Sequence, residues 1–290
     1  RDPASISRLT MLFEIVHTTD YRYAATAMEA YLEVRLTPPA RSTQTVLRHH
    51  IEFEPEARSS GYTDYFGNYT TFYSMTLRHS RLKVVNRLAV RTCPPVMPDG
   101  ALALSVAEAR QILKSAGTRV FDFLQPTPAT PVGVHSLQWC KEHLRDDQPL
   151  GLCLDSLNKA VYREFKYCSG ATDIETPLSM VWEKREGVCQ DFAHLMISVL
   201  RSGGIPCRYV CGYIESDPPA DDGPGSKLVG ALATHAWVEV LVPGMEWLAL
   251  DPTNNQWCGE RHVAVAFGRD FLDATPVRGT FKGSASQNMK

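Results

Sequence analysis

The chain has 290 residues, enough for one large domain or two modest ones with cores of ordinary size. Apolar residues make up 44% and charged residues 21%, with 19 Gly and 19 Pro spread along the chain, so disordered, collagen-like and low-complexity classes fall away. Thirty Lys and Arg against 32 Asp and Glu give a formal charge of -2, and neither sign gathers into a tail or stripe. That removes the electrostatic case for nucleic acid or an anionic membrane surface as partner.

No apolar run reaches the roughly 18 to 20 residues that a membrane-spanning helix needs. The first residues, Arg1-Asp2-Pro3-Ala4-Ser5-Ile6, lack the basic start and apolar stretch of a secretory signal. The eight cysteines, Cys93, Cys140, Cys153, Cys168, Cys189, Cys207, Cys211 and Cys258, are sparse for a disulfide scaffold. The expectation is a cytoplasmic protein with reduced thiols.

From Met11 to Arg91 nearly every segment prefers strand. Met11–Tyr23, Tyr31–Leu36, Thr45–Pro55, Asn68–Leu77 and Arg81–Val90 are rich in β-branched and aromatic residues. Pro38-Pro39, Pro55 with Ser59-Ser60-Gly61, Gly67-Asn68 and His79-Ser80 separate them. In the fourth, Thr71, Tyr73 and Met75 fall on one side and Phe72, Ser74 and Thr76 on the other. Short strands uninterrupted by helix predict an antiparallel sandwich or barrel-like domain. Asp64, Tyr65, Gly67 and Asn68 form a turn within it.

Past Cys93-Pro94-Pro95 the pattern changes. Helices are predicted over Ser105–Lys114, His135–Leu144, Cys153–Phe165, Pro177–Trp182 and Val188–Ser202, and Asp122–Pro131, with three prolines, is a connector. The last helix carries Phe192, Met196, Val199 and Leu200 at helical spacing and ends at Gly203-Gly204. Strands follow at Cys207–Ile214, His235–Val242, Trp247–Leu250 and His262–Phe267, with a polar loop over Asp217–Lys227. Helices ahead of an antiparallel sheet imply an α+β domain. The predicted organisation is a β-rich domain over residues 1–110 and a catalytic α+β domain over 111–290.

The densest chemical signal is Gly187-Val188-Cys189-Gln190-Asp191-Phe192. Cys189 falls at the first turn of the most amphipathic helix, with Gly187 just ahead to allow a sharp entry. A thiol there faces the positive end of the helix dipole and unpaired N–H groups, which favour thiolate and could also hold an oxyanion. The competing reading is a small buried hydrophobe. Further on, Thr234-His235-Ala236-Trp237-Val238-Glu239 places His235, Trp237 and Glu239 on one strand face. His235 suits a general base, against the plain alternative of a hydrogen-bonded sheet histidine. Asp251, at the end of the next strand and before Pro252, could orient His235 across a hairpin, although alone it reads as a turn residue. Together the three form a Cys-His-Asp hypothesis.

Other constellations are weaker. A zinc set of Cys189, His194, Cys207 and Cys211 lacks a close cysteine pair, and His194 sits about 140° around the helix from Cys189. Cys207 and Cys211 share a strand face and, with Tyr209 and Tyr213, pack or line a groove floor. Glu186 and Asp191 cap or brace the helix start, and Trp237 is a site wall or core residue. His17, His49, His50, His79, His135, His143 and His262 have no comparable context.

The stretch Gly187–Tyr213, then Thr234–Val240, then Trp247–Asn255 resembles the core of the transglutaminase-like superfamily, whose members share a papain-like cysteine fold. His262–Phe281 resembles the C-terminal part of bacterial transglutaminase-like proteins. Ile15–Tyr23, Leu32–Pro39 and Asp64–Asn68 resemble the β-rich domain that precedes the core there. The similarity runs from about Phe13 to Phe281. It implies Cys189 as nucleophile, His235 as base and Asp251 as orienting acid, with no cofactor. No acidic loop resembles the calcium sites of animal transglutaminases, so calcium is not implied. The implied chemistry is acyl transfer through a thioester on a peptide or protein substrate. Hydrolysis leads, because bacterial proteins of this kind are often described as cysteine proteases; crosslinking, glutamine deamidation and a noncatalytic binding module are the alternatives.

Overall fold

A computed structural model describes residues 10–97, 100–215, 234–244, 246–283 and 287–289. The loop predicted over Asp217–Lys227 lies outside them. The chain divides into two compact units: Arg1–Pro94 with Val263–Ala266 and Thr275–Lys290, and Pro95–His262 with Phe267–Ala274. This division falls ahead of the expected residue 110, and the end of the chain returns to the first unit. The reason is strand pairing, given below.

The first unit holds β1 (Met11–Ala27), β2 (Glu29–Thr37), β3 (Gln44–Glu54), β4 (Arg58–Thr63), β5 (Tyr69–Met75) and β6 (His79–Thr92). β13 (His262–Gly268) is divided, with Val263–Ala266 in this unit and its ends in the second, and the first unit also holds β14 (Val277–Lys282) and β15 (Gln287–Met289). They make two four-stranded antiparallel sheets, in the orders β15-β1-β6-β3 and β14-β2-β5-β4. The expected alternation of β5 holds over its second half, with Tyr73 and Met75 buried and Ser74 half-buried, whereas Thr71 and Phe72 are both half-buried and Thr70 is buried. Phe53 of one sheet stacks on Tyr73 of the other with centroids 4.5 Å apart, and Asn86 Nδ2 donates to Leu36 O at 2.9 Å. This is the facing-sheet arrangement that a sandwich requires. β4 corrects the reading of Ser59-Ser60-Gly61 as a separator. Every residue of it is exposed, so its ladder to β5 rests on backbone pairing and leaves no apolar signature. The C-terminal strands also lacked one; β14 pairs with β2 and β15 with β1.

The second unit carries α1 (Val106–Lys114), α2 (Thr118–Phe121), a 3-10 turn over Asp122–Leu124, α3 (Val134–His143), α4 (Leu150–Glu164), β7 (Lys166–Tyr167), α5 (Leu178–Lys184), β8 (Glu186–Gly187) and α6 (Cys189–Ser202). Then come β9 (Cys207–Ile214), β10 (His235–Val242), β11 (Glu246–Asp251) and β12 (Gln256–Trp257), which lie in the sheet order β12-β11-β10-β9. Helices ahead of an antiparallel sheet make this unit α+β. Among the described residues no helix is long and apolar enough to cross a membrane.

α6 is the axis of the unit. The expectation of a one-sided apolar stripe understates it, because every residue from Asp191 to Arg201 is buried. It packs against β9 and β10 on the sheet and against α3, α4 and α5. Full burial of Phe192 or Met196 stabilises by about 1.5 to 3 kcal/mol each. Its polar residues are buried with partners. The Arg201 guanidinium donates to Phe123 O, Thr130 Oγ1, Cys207 O and Arg269 O, tying the proline-rich connector to the helix end. Gly204, at φ +69°, supplies the left-handed residue that turns the chain out of α6.

Candidate active site

The thiol is positioned by the way the chain enters α6. The short parallel pair of β7 with β8 sets Tyr167 opposite Gly187, and the Cys168 N–H donates to Gly187 O at 2.9 Å. Val188 is extended and its N–H donates to Asp191 Oδ2 at 2.8 Å, so the carboxylate at the third helical position closes the helix start. Thr172 Oγ1 donates to the same oxygen at 2.5 Å. Asp191 is therefore a brace, as its position suggested. Burial raises its pKa, against the two hydrogen bonds. Gly187 serves this contact rather than a special backbone angle: a Cβ there would lie 2.7 Å from Asp191 Oδ2. The result is a half-buried Cys189 at the first position of a long buried helix.

β10 begins at His235, whose register partner on β9 is Gly212, while Ala236 pairs with Cys211. β11 returns antiparallel to β10, pairing Leu250 with Val238, so Asp251 emerges at the His235 end of the hairpin. His235 Nε2 and Asp251 Oδ2 are 2.9 Å apart, and both side chains are fully buried. Asp251 Oδ1 accepts from the backbone N–H of Thr253 at 2.9 Å and of Asn254 at 3.2 Å, while Oδ2 also accepts from Asn254 Nδ2 at 2.7 Å. His262 Nε2 approaches Oδ2 at 3.4 Å. Such a carboxylate has almost no freedom to turn.

Electrostatics follow from this packing. Burial alone would lower the pKa of His235, but the Asp251 charge and hydrogen bond override it, with a smaller contribution from Cys189, and the net shift is upward. Burial would raise Asp251; His235 and then His262 overcome that and hold its carboxyl well below the usual range. The Cys189 thiol thus acts on the ring, while Nδ1 makes no hydrogen bond of good geometry. The thiol stands beside the imidazole without a hydrogen bond to Nδ1.

The surrounding residues have separate roles. Trp237 is buried on the same face, 6.1 Å from the His235 ring and edge-on to His262 at 5.3 Å, so it excludes water from the Asp251 side. Glu239, on that face by parity, pairs instead with Arg208 at 2.6 Å. Cys211 and Tyr209 are buried on β9; burial first, and then negative charge at Cys189, push the Cys211 thiol up to about 12. Cys207 is turned to Ile197 O, and burial raises it to about 11. His194 Nε2 accepts the Phe271 N–H at 3.1 Å, and burial lowers its pKa to about 3, a neutral structural imidazole. Among the described residues no group of three or more acidic, Cys or His side chains is arranged to hold a metal.

Two residues of the site escaped the sequence reading. Asn254 had a signal, since an Asx turn after a strand-end Asp is a known local motif. His262 had none, because its approach to Asp251 depends on a later strand.

Residues 144–252 match the transglutaminase-like superfamily, and residues 13–91 match the bacterial transglutaminase-like N-terminal region. The chain belongs to the transglutaminase-like superfamily. This transglutaminase-like protein is 34% identical to an uncharacterized protein of Mycobacterium tuberculosis over 93% of its own length and 87% of the relative's. An uncharacterized protein of Mycobacterium leprae is 31% identical over 95% of both chains. A protein-glutamine gamma-glutamyltransferase of Pseudomonas aeruginosa is 34% identical over 37% of this chain and 16% of its own. Among solved structures, a candidate cysteine protease from Cytophaga hutchinsonii superposes with a TM-score of 0.70 at 20% identity, covering 97% of this chain and 91% of that one. That likeness is one of fold.

Proposed function

We propose that this transglutaminase-like protein is a cysteine-dependent amide or peptide hydrolase that uses Cys189, His235 and Asp251. The observation that supports this most is the buried His235–Asp251 pair at 2.9 Å with Nδ1 of the same ring left over beside Cys189. In the first half-reaction the Cys189 thiol gives its proton to His235, the sulfur forms a bond to the amide carbonyl carbon, and the carbonyl electron pair moves to oxygen. The pair then returns, the C–N bond breaks, and His235 gives its proton to the departing nitrogen, leaving a thioester. In the second, His235 takes a proton from water, the hydroxide oxygen bonds to the acyl carbon, and the thiolate leaves. Asp251 holds the ring and balances its charge throughout.

An amine in place of water gives crosslinking, and water acting on a glutamine side-chain thioester gives deamidation. The named activity of the Pseudomonas aeruginosa relative favours keeping transglutamination as the second reading. Hydrolysis leads because water needs no dedicated amine pocket. A peptide or protein substrate and a reducing, cytoplasmic setting complete the proposal; the eight cysteines, none of them in a disulfide, support the latter. The test incubates peptide libraries and glutamine-containing proteins with and without a primary amine and separates cleavage, deamidation and amine adducts by mass. Cleavage or deamidation dominating supports hydrolysis. Adducts dominating at modest amine concentration reverse the order, and turnover that persists in Cys189→Ala removes the mechanism.

A further inference from the structure

We propose that His262 is a positioning residue for the reaction: its Nε2–H shares Asp251 Oδ2 with His235, and by drawing on that oxygen it leaves the His235 imidazole able to release a proton as well as to hold one. The inference rests on the acyl-transfer reading above. His262 opens β13 and belongs, with His235 and Asp251, to the second unit. Its backbone is fixed on both sides. The His262 N–H donates to Gly259 O at 3.1 Å, and the preceding carbonyl, Arg261 O, accepts from the N–H of Glu215 just past β9 at 3.1 Å. The ring is buried, and Trp237 lies 5.3 Å from it and 6.1 Å from the ring of His235. One indole thus sets both imidazoles about a single carboxylate.

A carboxylate only accepts, so the nitrogen that each ring turns to Oδ2 carries hydrogen: Nε2 of His235 at 2.9 Å and Nε2 of His262 at 3.4 Å. That leaves His262 Nδ1 buried without a hydrogen-bond partner among the described residues. An unpaired buried nitrogen works against folding, and an apolar ring would fill the same place beside Trp237 without it. What the imidazole adds is the donor to Asp251. An oxygen that serves a second donor stabilises the charged form of His235 less than it would alone. Burial works to raise the pKa of Asp251, and the two rings, His235 ahead of His262, outweigh it. Other charged groups of these strands are engaged with one another, Arg261 with Glu215 and Arg208 with Glu239, each at 2.6 Å. The titratable groups that act on His235 are Asp251 and Cys189. Both Nε2 protons stay on their rings, and the proton that moves in the reaction is the one on His235 Nδ1. The restraint from His262 matters when the thioester is hydrolysed, because His235 must then be neutral to take a proton from water.

The test compares wild type with His262→Phe, which keeps a ring against Trp237 and removes the donor, and with His262→Gln, which keeps an N–H donor. NMR of the imidazole carbon-bound protons gives the His235 titration. Turnover of p-nitrophenyl acetate after the burst gives deacetylation of Cys189, and iodoacetamide gives the reactivity of its thiolate. In His262→Phe, His235 should titrate higher by about half a unit or more, and deacetylation at pH 7 should slow about threefold as the neutral fraction of the ring falls, with alkylation within about 1.5-fold of wild type. His262→Gln should bring the titration and the deacetylation back toward wild type. A His235 titration that is unchanged or moves down overturns the proposal, as does an equal slowing of deacetylation and alkylation, which marks a merely structural role. If His262→Phe does not fold, the nitrogen-15 spectrum of the wild-type ring decides: hydrogen on Nε2 is expected, and a bare Nε2 overturns the proposal. Wild-type protein that alkylates at Cys189 but never acetylates there overturns the acyl-transfer reading and the role of His262 in it, whereas the titration still reports the shared carboxylate.

Discussion

His235 Nε2 lies 2.9 Å from Asp251 Oδ2, with both side chains fully buried. The bond commits Nε2 to the carboxylate and leaves Nδ1 without a hydrogen-bond partner among the described residues; in the proposed mechanism that nitrogen serves the thiol. Asp251 can serve as anchor because Thr253, Asn254 and His262 fix it in turn. A buried charge pair of this kind is costly to break by removing one partner, because the other is then left unpaired away from water.

The pair makes a prediction about pH. With its pKa raised to about 10 against an ordinary value of 6.5, the charged His235 contributes stability in full below about pH 6.5, and that contribution is lost as pH rises toward 10. NMR of the imidazole carbon-bound protons should show His235 still protonated at pH 8. In Asp251→Asn the burial effect is no longer opposed by a full negative charge, and the titration should move down by more than a unit. A His235 that titrates near 6.5 in both proteins contradicts the reading.

Thiol reactivity follows from placement. Cys153, Cys207, Cys211 and Cys258 are buried, so the competition is among Cys93, Cys140, Cys168 and Cys189, and burial raises the pKa of Cys140. Cys189 should alkylate with iodoacetamide roughly tenfold faster than the rest at neutral pH, by virtue of the helix N-terminus and His235. Peptide mass spectrometry over a time course measures it. His235→Ala should shrink the preference, and equal rates at all four thiols would remove the nucleophile assignment.

Gly187→Ala tests the entry to α6. The added Cβ would meet Asp191 Oδ2 at 2.7 Å and its Cβ at 2.9 Å. Overpacking of this kind costs about 1 to 3 kcal/mol. Urea unfolding should show that loss, and the alkylation rate of Cys189 should change with it because the Val188–Asp191 bond sets the thiol's position. Wild-type stability in the variant would mean that Asp191 moves aside freely.

Much of this was legible in sequence because local pattern and packing agree. β9 and β10 fall at Cys207–Ile214 and His235–Val242 as predicted, since an apolar run bounded by turn signals suffices for a buried strand. Cys189, His235 and Asp251 each sit at an element end, where caps and turns mark them. What was hidden depends on distant pairing. β4 has no buried residue, β14 and β15 belong with strands some 250 residues earlier in the chain, and His262 reaches Asp251 only through the fold. Gly187 was legible as a glycine but not for its reason, because a close approach by Asp191 leaves no trace in backbone propensity.

The most direct test of the central claim is to trap the acyl-enzyme. Protein treated with p-nitrophenyl acetate, quenched in acid during the burst and digested, should carry one acetyl group, as a hydroxylamine-sensitive thioester on Cys189. The adduct should be absent in Cys189→Ala and form much more slowly in His235→Ala. Acetylation confined to lysines or to another cysteine, with Cys189 unmodified, would contradict the account.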